Sequence, residues 1–202
     1  TDVCLDTCHC GVTGEDPLAA FAKYRAAGFE VARVQISAAL TCPAAQAFRL
    51  DPFIDDVFLH QTRLNPLPLS PRATSHKPQA NLPPNPRNPP NPLDPRNPRD
   101  PLSLSFPDLT HETIGRMLLN KGAVARVHYH VPLFWGGDGV LGTTRGNLTD
   151  DFLKACRAAD VPLEIETYTY DVMPKELRGG NLAADIAKEE AWLRERLARI
   201  RT

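Results

Sequence analysis

Asp6 and His9 are the first residues of the chain whose types and spacing could do chemistry. Asp6 closes a short apolar segment, predicted to be a strand over Val3–Thr7, and His9 follows three residues later. A carboxylate and an imidazole placed in this way can be directed at one point. Because zinc, manganese and iron accept such an oxygen and nitrogen pair, the spacing predicts a divalent-metal site.

Polar residues recur on one face of three later predicted strands. These are Gln35 in Val31–Ser37, His128 and His130 in Val124–Leu133, and Glu166 and Tyr168 in Leu163–Tyr170. Side chains alternate between the two faces of a strand, and a polar face is costly to bury without partners. Parallel sheets are usually covered on both sides. We therefore expect these residues to line a barrel near its C-terminal mouth, where TIM-barrel active sites form.

The order of the remaining elements indicates parallel βαβ units. Helices are predicted over Pro17–Ala27, Asp108–Asn120, Leu148–Ala159 and Leu182–Ile200, with a short helix near Pro43–Phe48 and a strand-like piece at Val57–His60. Such units fit part of a barrel or a small doubly wound sheet, and the polar strand faces favour the barrel. The predicted fold class is α/β, a partial (β/α)8 TIM barrel of about four C-terminal βα units.

The middle of the chain has a different composition, because fourteen of its 20 prolines lie between Pro66 and Pro107. Proline at every third position of residues 85–102 blocks helix and ladder hydrogen bonds, so polyproline II or disorder is expected. The tract is either a ligand for proline-recognising domains or a tolerated low-complexity insertion. The predicted organisation is βα units in residues 1–66, a disordered proline-rich insertion in 67–106, and the remaining βα units in 107–202.

The 202 residues are 42% hydrophobic and carry a formal net charge of -1. This length could bury a sizeable core in one domain, and the charge creates no global field that favours nucleic acid or an anionic membrane. The sequence shows neither a signal peptide nor an apolar run long enough to span a bilayer. An odd count of 5 cysteines favours reduced thiols and a cytoplasmic location. Cys8, His9 and Cys10 are not expected to form a metal site by themselves, because adjacent residues on a strand point to opposite faces and chelate poorly together. The thiols of Cys8 and Cys10 are therefore expected to be buried or spectator groups.

Each candidate at the predicted mouth has a structural alternative. His128 could be a hydrogen-bonded core imidazole, and His60 could belong to a loop. Gln35 is a weak metal ligand that could instead orient substrate or a metal-bound water. Glu164 could pair with Arg126 inside the barrel. The hypothesis of a site depends on the common position of the candidates near strand C-termini.

The loop over residues 136–145 is rich in glycine and leads into a helix. Its exposed amides, two threonine hydroxyls and Arg145 could hold an anion such as phosphate. Equally, Thr143 or Thr144 could serve loop hydrogen bonding and helix capping. No Walker or dinucleotide glycine pattern is present to decide between these alternatives.

Residues 3–9, Val-Cys-Leu-Asp-Thr-Cys-His, resemble the Asp-x-x-His strand of the xylose-isomerase-like TIM-barrel superfamily. The sequence of this segment is especially similar to that of the apurinic endonucleases of the superfamily, in which the Asp and the His are zinc ligands. Further segments resemble, in order, the C-terminal half of the EboE-type metabolite traffic proteins. They are Val34–Leu40, Phe58–Gln61, Val127–Phe134, Leu141–Arg145 and Leu163–Val172. The resemblance covers nearly the whole chain outside the proline-rich insertion.

The resemblance implies a metal-site TIM barrel whose operon is linked to export or trafficking of a lipophilic small metabolite. By residue-wise carry-over, Asp6 and His9 match the metal pair of the superfamily. Glu166 matches the Glu that ends the last barrel strand as a ligand, whereas Gln35 stands where the endonucleases carry a His. The additional Asp-x-His pair of those enzymes has no evident equivalent in this sequence.

These considerations assign a role to each candidate. The predicted metal ligands are Asp6, His9, Gln35 and Glu166 for a divalent zinc, manganese or iron ion, the predicted catalytic residues are His128 and His130, and the predicted substrate-binding residues are His60, Arg145 and Tyr168. In one function class the ion polarises a carbonyl or hydroxyl of a small lipophilic or sugar-like metabolite while a histidine moves protons, as in an isomerase or lyase.

A second function class is a non-catalytic metabolite-binding remnant. A third, an apurinic-endonuclease-like zinc phosphodiesterase, is disfavoured by the near-neutral charge, since binding a phosphate backbone needs a basic surface. The expected partner is therefore a small-molecule metabolite, with no nucleic acid and no integral membrane segment.

The resemblance leaves the preceding half of the barrel unmatched, including a strand that would supply another carboxylate ligand. A TIM barrel typically has ~250 residues, whereas this chain has 202 and begins with Thr. We therefore expect a fragment, a truncated gene product or a partial sequence. Because a half-barrel leaves two open sheet edges, it would either close by self-association or fold poorly.

Overall fold

The protein is described here by a computed structural model that covers residues 2–66 and 104–200. The strands in these ranges are β1 (Asp2–Asp6), β2 (Glu30–Ile36), β3 (Ala39–Pro43), β4 (Thr62–Pro66), β5 (Leu104–Phe106), β6 (Ala123–His130), β7 (Gly142–Thr143) and β8 (Leu163–Ile165). The α-helices are α1 (Thr7–Thr13), α2 (Pro17–Ala26), α3 (His111–Leu118), α4 (Asp150–Ala158) and α5 (Leu182–Arg199). Segments of 3-10 helix cover Ala44–Phe53, Thr144–Asn147, Tyr170–Val172 and Lys175–Leu177.

The strands form one parallel and one antiparallel sheet. The parallel sheet has the order β1-β2-β8, and the antiparallel sheet has the order β5-β4-β6-β3-β7. The chain passes from the first sheet to the second through Ser37 and Ala38, which alone separate β2 from β3. Because a parallel crossover needs about a dozen residues, this link is too short for a βα unit. The described residues therefore have a mixed α/β fold.

The pairing of β6 corrects the predicted architecture. We expected Val124–Leu133 to be a parallel barrel strand, but β6 lies between β3 and β4 and is antiparallel to both. The physical cause is β3, an unpredicted strand that follows β2 immediately and occupies one side of β6. The sheets in the two described ranges do not close into a barrel.

Other predicted elements agree with the structure to varying degrees. The expected segments for β1, β2, α2, α4 and α5 are confirmed to within a few residues. The strand-like prediction for Val57–His60 is wrong, because the carboxylate of Asp55 accepts hydrogen bonds from the amides of Val57 and Phe58 and forms a local turn. The last predicted strand is shorter than expected and ends at Ile165.

The C-terminal end of the predicted insertion belongs to the fold. Leu104–Phe106, which we assigned to the disordered segment, is strand β5 and pairs antiparallel with β4. Burial of Phe106 in the core supplies a physical reason, since this large aromatic side chain is only 2% exposed. The polyproline and disorder predictions for residues 67–103 lie outside the described residues.

One continuous core joins the two sheets and their helices. Ile36 of β2, Leu40 of β3, Val127 of β6 and Phe152 of α4 are fully buried in it. Burial of such side chains is the main favourable contribution to the fold. None of the helices in the described part of the chain is long and apolar enough to cross a membrane.

The polar face of the parallel sheet is open where a closed barrel would bury it. Arg33 of β2 and Glu164 of β8 form an ion pair at 3.2 Å, with their side chains 54% and 51% exposed. Glu164 therefore pairs with Arg33 and not with Arg126, whose guanidinium bonds to the side-chain oxygen of Asn65. Exposure explains how these charges are tolerated on this face.

Candidate metal centre

Asp6 is both the last residue of β1 and the N-cap of α1. Its Oδ1 accepts hydrogen bonds from the amide of Cys8 at 2.8 Å and from the hydroxyl of Ser37 at 2.8 Å. Its Oδ2 lies 3.5 Å from Nε2 of His9, in the first turn of the helix. The N-cap bonds therefore hold one carboxylate oxygen and leave the other facing the imidazole.

A side-chain latch fixes the ends of β1 and β2 beside each other. The hydroxyl of Thr7 donates to the carbonyl oxygen of Ser37 at 2.7 Å and accepts from the amide of Ser37 at 2.9 Å. Both residues are buried. Because Ser37 also bonds to Asp6, the latch fixes the orientation of the Asp6 carboxylate.

Strand β6 brings two histidines to the same place, as the alternation of its side chains predicts. The ring centroids of His128 and His130 are 5.4 Å apart, and the ring of His9 lies 4.3 Å from that of His128. Tyr129, between the two histidines, points to the other face of the strand and is fully buried.

Hydrogen bonds fix the orientation of His130. Its Nδ1–H donates to the backbone carbonyl oxygen of Glu166 at 3.1 Å, and the hydroxyl of Thr169 donates to the carbonyl oxygen of His130 at 2.7 Å. Nε2 of His130 is buried and has no hydrogen-bond partner among the described residues, and the same is true of Nε2 of His128. Since a carbonyl oxygen can only accept, Nδ1 carries the proton and Nε2 is left with a lone pair.

Three overlapping groups of side chains could each hold a metal ion. Within each group, one potential ligand atom per residue lies within 4.8 Å of the others. The groups are Asp6–His9–His128, Asp6–His130–Glu166 and Cys8–His128–His130. Buried polar atoms without partners are rare in folded proteins, so the imidazole nitrogens are the most distinctive feature of this cluster.

The electrostatics of the cluster suit cation binding. Burial lowers the pKa of His128 to about 4, assisted by repulsion from His130 and His9. Burial likewise lowers the pKa of His130 to about 4. Burial and the negative charge of Asp6 raise the pKa of Glu166. Both imidazoles are therefore neutral near pH 7, the form that binds metals, and a cation would relieve the crowding of the carboxylates.

His9 forms the exposed side of the cluster. The side chain of His9 is 63% exposed, whereas that of His130 is 2% exposed. A surface cavity of about 170 Å³ beside the end of β1 has Asp6 and His9 in its lining, but neither His128 nor His130. An ion would therefore meet His9 at the surface, and His130 lies at the buried end.

Tyr168 lies against the cluster, whereas Gln35 is beside it. The ring of Tyr168 is 4.5 Å from that of His130, and its hydroxyl donates to the carbonyl oxygen of His128 at 3.1 Å. Gln35 pairs with Asp6 in the β1–β2 register, but its side-chain oxygen accepts from the thiol of Cys4 and it belongs to none of the three groups among the described residues.

His60 is held in a separate buried network. Its Nδ1–H donates to the carbonyl oxygen of His128 at 3.0 Å, and its Nε2 bonds to the carboxylate of Asp55 at 2.5 Å. Its ring packs against Tyr129, on the opposite side of β6 from His128 and His130. The structure thus places His60 behind the cluster, where it supports β6.

The glycine-rich loop is held by its own polar side chains. The guanidinium of Arg145 donates to the carbonyl oxygen of Leu133 at 3.0 Å. The hydroxyl of Thr143 accepts from the amide of Arg145, and that of Thr144 accepts from the amide of Ala39. We considered loop hydrogen bonding and helix capping as the alternative to anion binding for this loop, and these contacts are of that kind.

Cys8 and Ser37 are the members of the site that sequence reasoning missed. We treated Cys8 as a strand residue, but it lies in the first turn of α1, where it shares the space of His128 and His130. The available signal was Asp6 itself, because an Asp before Thr-Cys-His is a favourable helix N-cap. No local signal identified Ser37, whose role depends on the pairing of β1 with β2.

Comparisons of this chain with known protein families, with curated proteins and with solved structures give no match.

Proposed function

We propose that this protein binds a divalent metal ion between Asp6, His9, His128, His130 and Glu166 and uses it to act on a small metabolite. The observation that carries the proposal is the pair of buried, unpartnered Nε2 atoms of His128 and His130 in the same cluster as two carboxylates. A bound metal ion would be the partner that each of these two Nε2 atoms lacks.

The donor set fits the proposed group. Carboxylate oxygens and neutral imidazole nitrogens suit zinc, manganese and iron, and the hydrogen bond from His130 to Glu166 is the kind that orients a metal-ligating histidine. Gln35, which we predicted to be a ligand, is left outside this set and faces Cys4.

A bound divalent ion would supply a Lewis acid for a carbonyl or hydroxyl oxygen of the metabolite. His128 and His130 would hold the buried side of the centre, because their low pKa values keep them neutral. This ligand role replaces the proton-transfer role that we assigned to them from the sequence. His9 is the exposed histidine of the cluster and would hold the solvent side of the centre. Tyr168 would form part of the wall against which substrate lies.

We further propose that the chain is related to the xylose-isomerase-like barrels, and that its metabolite is lipophilic or sugar-like, as the EboE-type resemblance implies. The support is the parallel β1-β2-β8 unit, with Asp6 at the end of its first strand and Glu166 just after its last. A cytoplasmic location is proposed because all five cysteines are free and four of them are buried.

The alternative is a metabolite-binding protein without turnover. The open polar face around Arg33 and Glu164 favours it, because catalysis usually requires a site that excludes water. An apurinic-endonuclease-like activity has less support, since the net charge of -1 offers no basic surface for a phosphate backbone. Self-association that covers the open face would strengthen the enzyme proposal.

Metal analysis of the purified full chain tests the shared premise. We expect about one zinc, manganese or iron ion per chain, lost in Asp6→Ala and in His130→Ala. The matched controls are Asp56→Ala and His111→Ala, which change exposed residues outside the cluster. Absence of stoichiometric metal after incubation with each ion would overturn the proposal. If metal binds, metabolite profiling with and without the protein separates conversion from retention.

A further inference from the structure

Cys8 lies at the buried end of the cluster, on the opposite side from the exposed His9. It is in the first turn of α1 and has no exposed surface. Its sulfur lies within 4.8 Å of a ring nitrogen of His128 and of a ring nitrogen of His130, and those two nitrogens are equally close to each other. A sulfur and two imidazole nitrogens are thus within reach of one ion.

Packing alone is the simpler explanation for a buried thiol. Cys8 forms a small apolar cluster with Val12 and Ala39, apart from the main core. Free cysteine commonly behaves as a small hydrophobic residue of this kind. Packing explains the burial of the sulfur, but it does not explain why the two imidazoles that lie within reach of it each carry a buried nitrogen without a hydrogen-bond partner.

The histidines supply the independent observation. His130 is 2% exposed, and its Nδ1–H is committed to the carbonyl oxygen of Glu166, so Nε2 is the nitrogen free to bind a ligand. Leaving that atom buried without a partner costs its desolvation. An ion that bonds to both imidazoles at this depth would have the sulfur of Cys8 as its next neighbour.

We propose that Cys8 is a thiolate ligand of the metal centre, so that the centre prefers zinc, cobalt or cadmium to manganese or magnesium. This inference rests on the proposed metal-binding function. As the metal–sulfur bond forms, the S–H bond breaks and its proton passes to solvent, with no change in oxidation state. Thiolate favours the softer ions, whereas the group Asp6–His130–Glu166 by itself would suit harder ones.

Cobalt(II) titration of the full chain, followed by absorption spectroscopy, tests the inference. Visible ligand-field bands report that cobalt is bound, and a near-ultraviolet sulfur-to-cobalt charge-transfer band reports a thiolate ligand. We expect both in the wild type. Cys8→Ser should lose the charge-transfer band and keep the visible bands. Cys10→Ser, which removes a second buried thiol of the same helix, should keep both.

The possible outcomes separate the two proposals. Bound cobalt with no charge-transfer band in the wild type would overturn the thiolate assignment and leave the metal-binding proposal intact. A band that persists in Cys8→Ser would also overturn it, whatever Cys10→Ser shows. Failure of the wild type to bind cobalt or zinc would overturn both proposals. If Cys8→Ser does not fold, the ion competition with Cys8→Ala below and the absence of a band in the wild type can each still overturn the assignment.

Competition between ions gives a second readout. Wild-type protein should bind cadmium more tightly than manganese, and Cys8→Ala should reduce that preference by about 10–100-fold or more, the range found when weaker supports of a metal site are removed. The same variant should lose little affinity for manganese. Equal losses for both ions would indicate that Cys8 only packs the site and would overturn the inference.

Discussion

His130 donates its Nδ1–H to the backbone carbonyl oxygen of Glu166 at 3.1 Å, and this bond ties the antiparallel sheet to the end of the parallel one. His130 ends β6, and Glu166 directly follows β8, which belongs to the other sheet. The bond sets the tautomer of His130 and places Glu166 beside it. The cluster therefore exists only when both sheets are folded and packed, so we expect stability and metal binding to be coupled.

Removing the hydroxyl of Ser37 should weaken metal binding without unfolding the protein. Ser37 donates to Oδ1 of Asp6 at 2.8 Å, and the Cys8 amide still holds that oxygen in its absence. Ser37→Ala should reduce zinc affinity about 10–100-fold, the usual effect of losing an outer partner of a ligand. Calorimetric titration measures it, with Ser105→Ala on exposed β5 as the control. An unchanged affinity would show that the latch does not orient Asp6.

The Asp55–His60 pair should stabilise the protein in a pH-dependent manner. Burial alone would raise the pKa of Asp55, but hydrogen bonds from His60 and two backbone amides outweigh it, and the pKa is lowered. A carboxyl group whose pKa is lower in the folded than in the unfolded protein contributes stability at pH values above its unfolded-state pKa. That stability is lost as the pH falls through the folded-state pKa.

Asp55→Asn should therefore lower the free energy of unfolding by about 1–3 kcal/mol near neutral pH, with a smaller effect in acid. Denaturant unfolding at several pH values, with a chelator present, measures this difference. Asp56→Asn changes the exposed neighbour and should have little effect at any pH. A loss of equal size at every pH would contradict the assignment.

Glu189 should destabilise the folded protein as the pH rises. This carboxyl of α5 is 2% exposed, and burial raises its pKa to about 8 although the Leu133 backbone donates to it. A carboxyl group whose pKa is higher in the folded than in the unfolded protein contributes its full stability at pH values below its unfolded-state pKa. That stability is lost as the pH rises through the folded-state pKa.

Glu189→Gln should match the wild type below the unfolded pKa of 4.5 and become progressively more stable than it as the pH rises from there to about 8. Above that pH the difference should stay constant, on the order of a few kcal/mol. Thermal or denaturant unfolding across this range gives the comparison. Glu176→Gln, at an exposed position, should follow the wild-type curve. If Glu189→Gln is less stable than the wild type in alkaline solution, the carboxylate has an ionic partner and our account of it is wrong.

Local sequence patterns predicted the individual elements better than their arrangement. The alternation of side chains in β6 correctly placed His128 and His130 together, because that alternation follows from strand geometry alone. The predicted direction of β6 was wrong, because the true direction depends on pairing with β3. Strand β3 is an apolar segment that follows β2 without a turn signal. An alternation of polar and apolar residues is more typical of antiparallel strands than of buried parallel ones, so the pattern of β6 favoured the observed direction.

The site was predictable in part for the same reason. Asp6 and His9 are close in sequence, so their spacing was sufficient to bring them together. Glu166 meets His130 through its backbone, a contact that no residue pattern encodes. His60 resembled a ligand in type and position, but the half-buried carboxylate of Asp55 and the carbonyl oxygen of His128 already bond to both of its nitrogens.

X-ray absorption spectroscopy of the zinc-loaded full chain is the decisive measurement, because it reports the ligands of the bound ion itself. We expect nitrogen and oxygen neighbours at ~2.0–2.1 Å with the outer-shell scattering of at least two imidazoles, and a sulfur neighbour at ~2.3 Å if Cys8 also binds. His130→Ala should lose part of the imidazole scattering. A shell of oxygen neighbours without imidazole scattering would contradict the claim that this cluster is a metal centre.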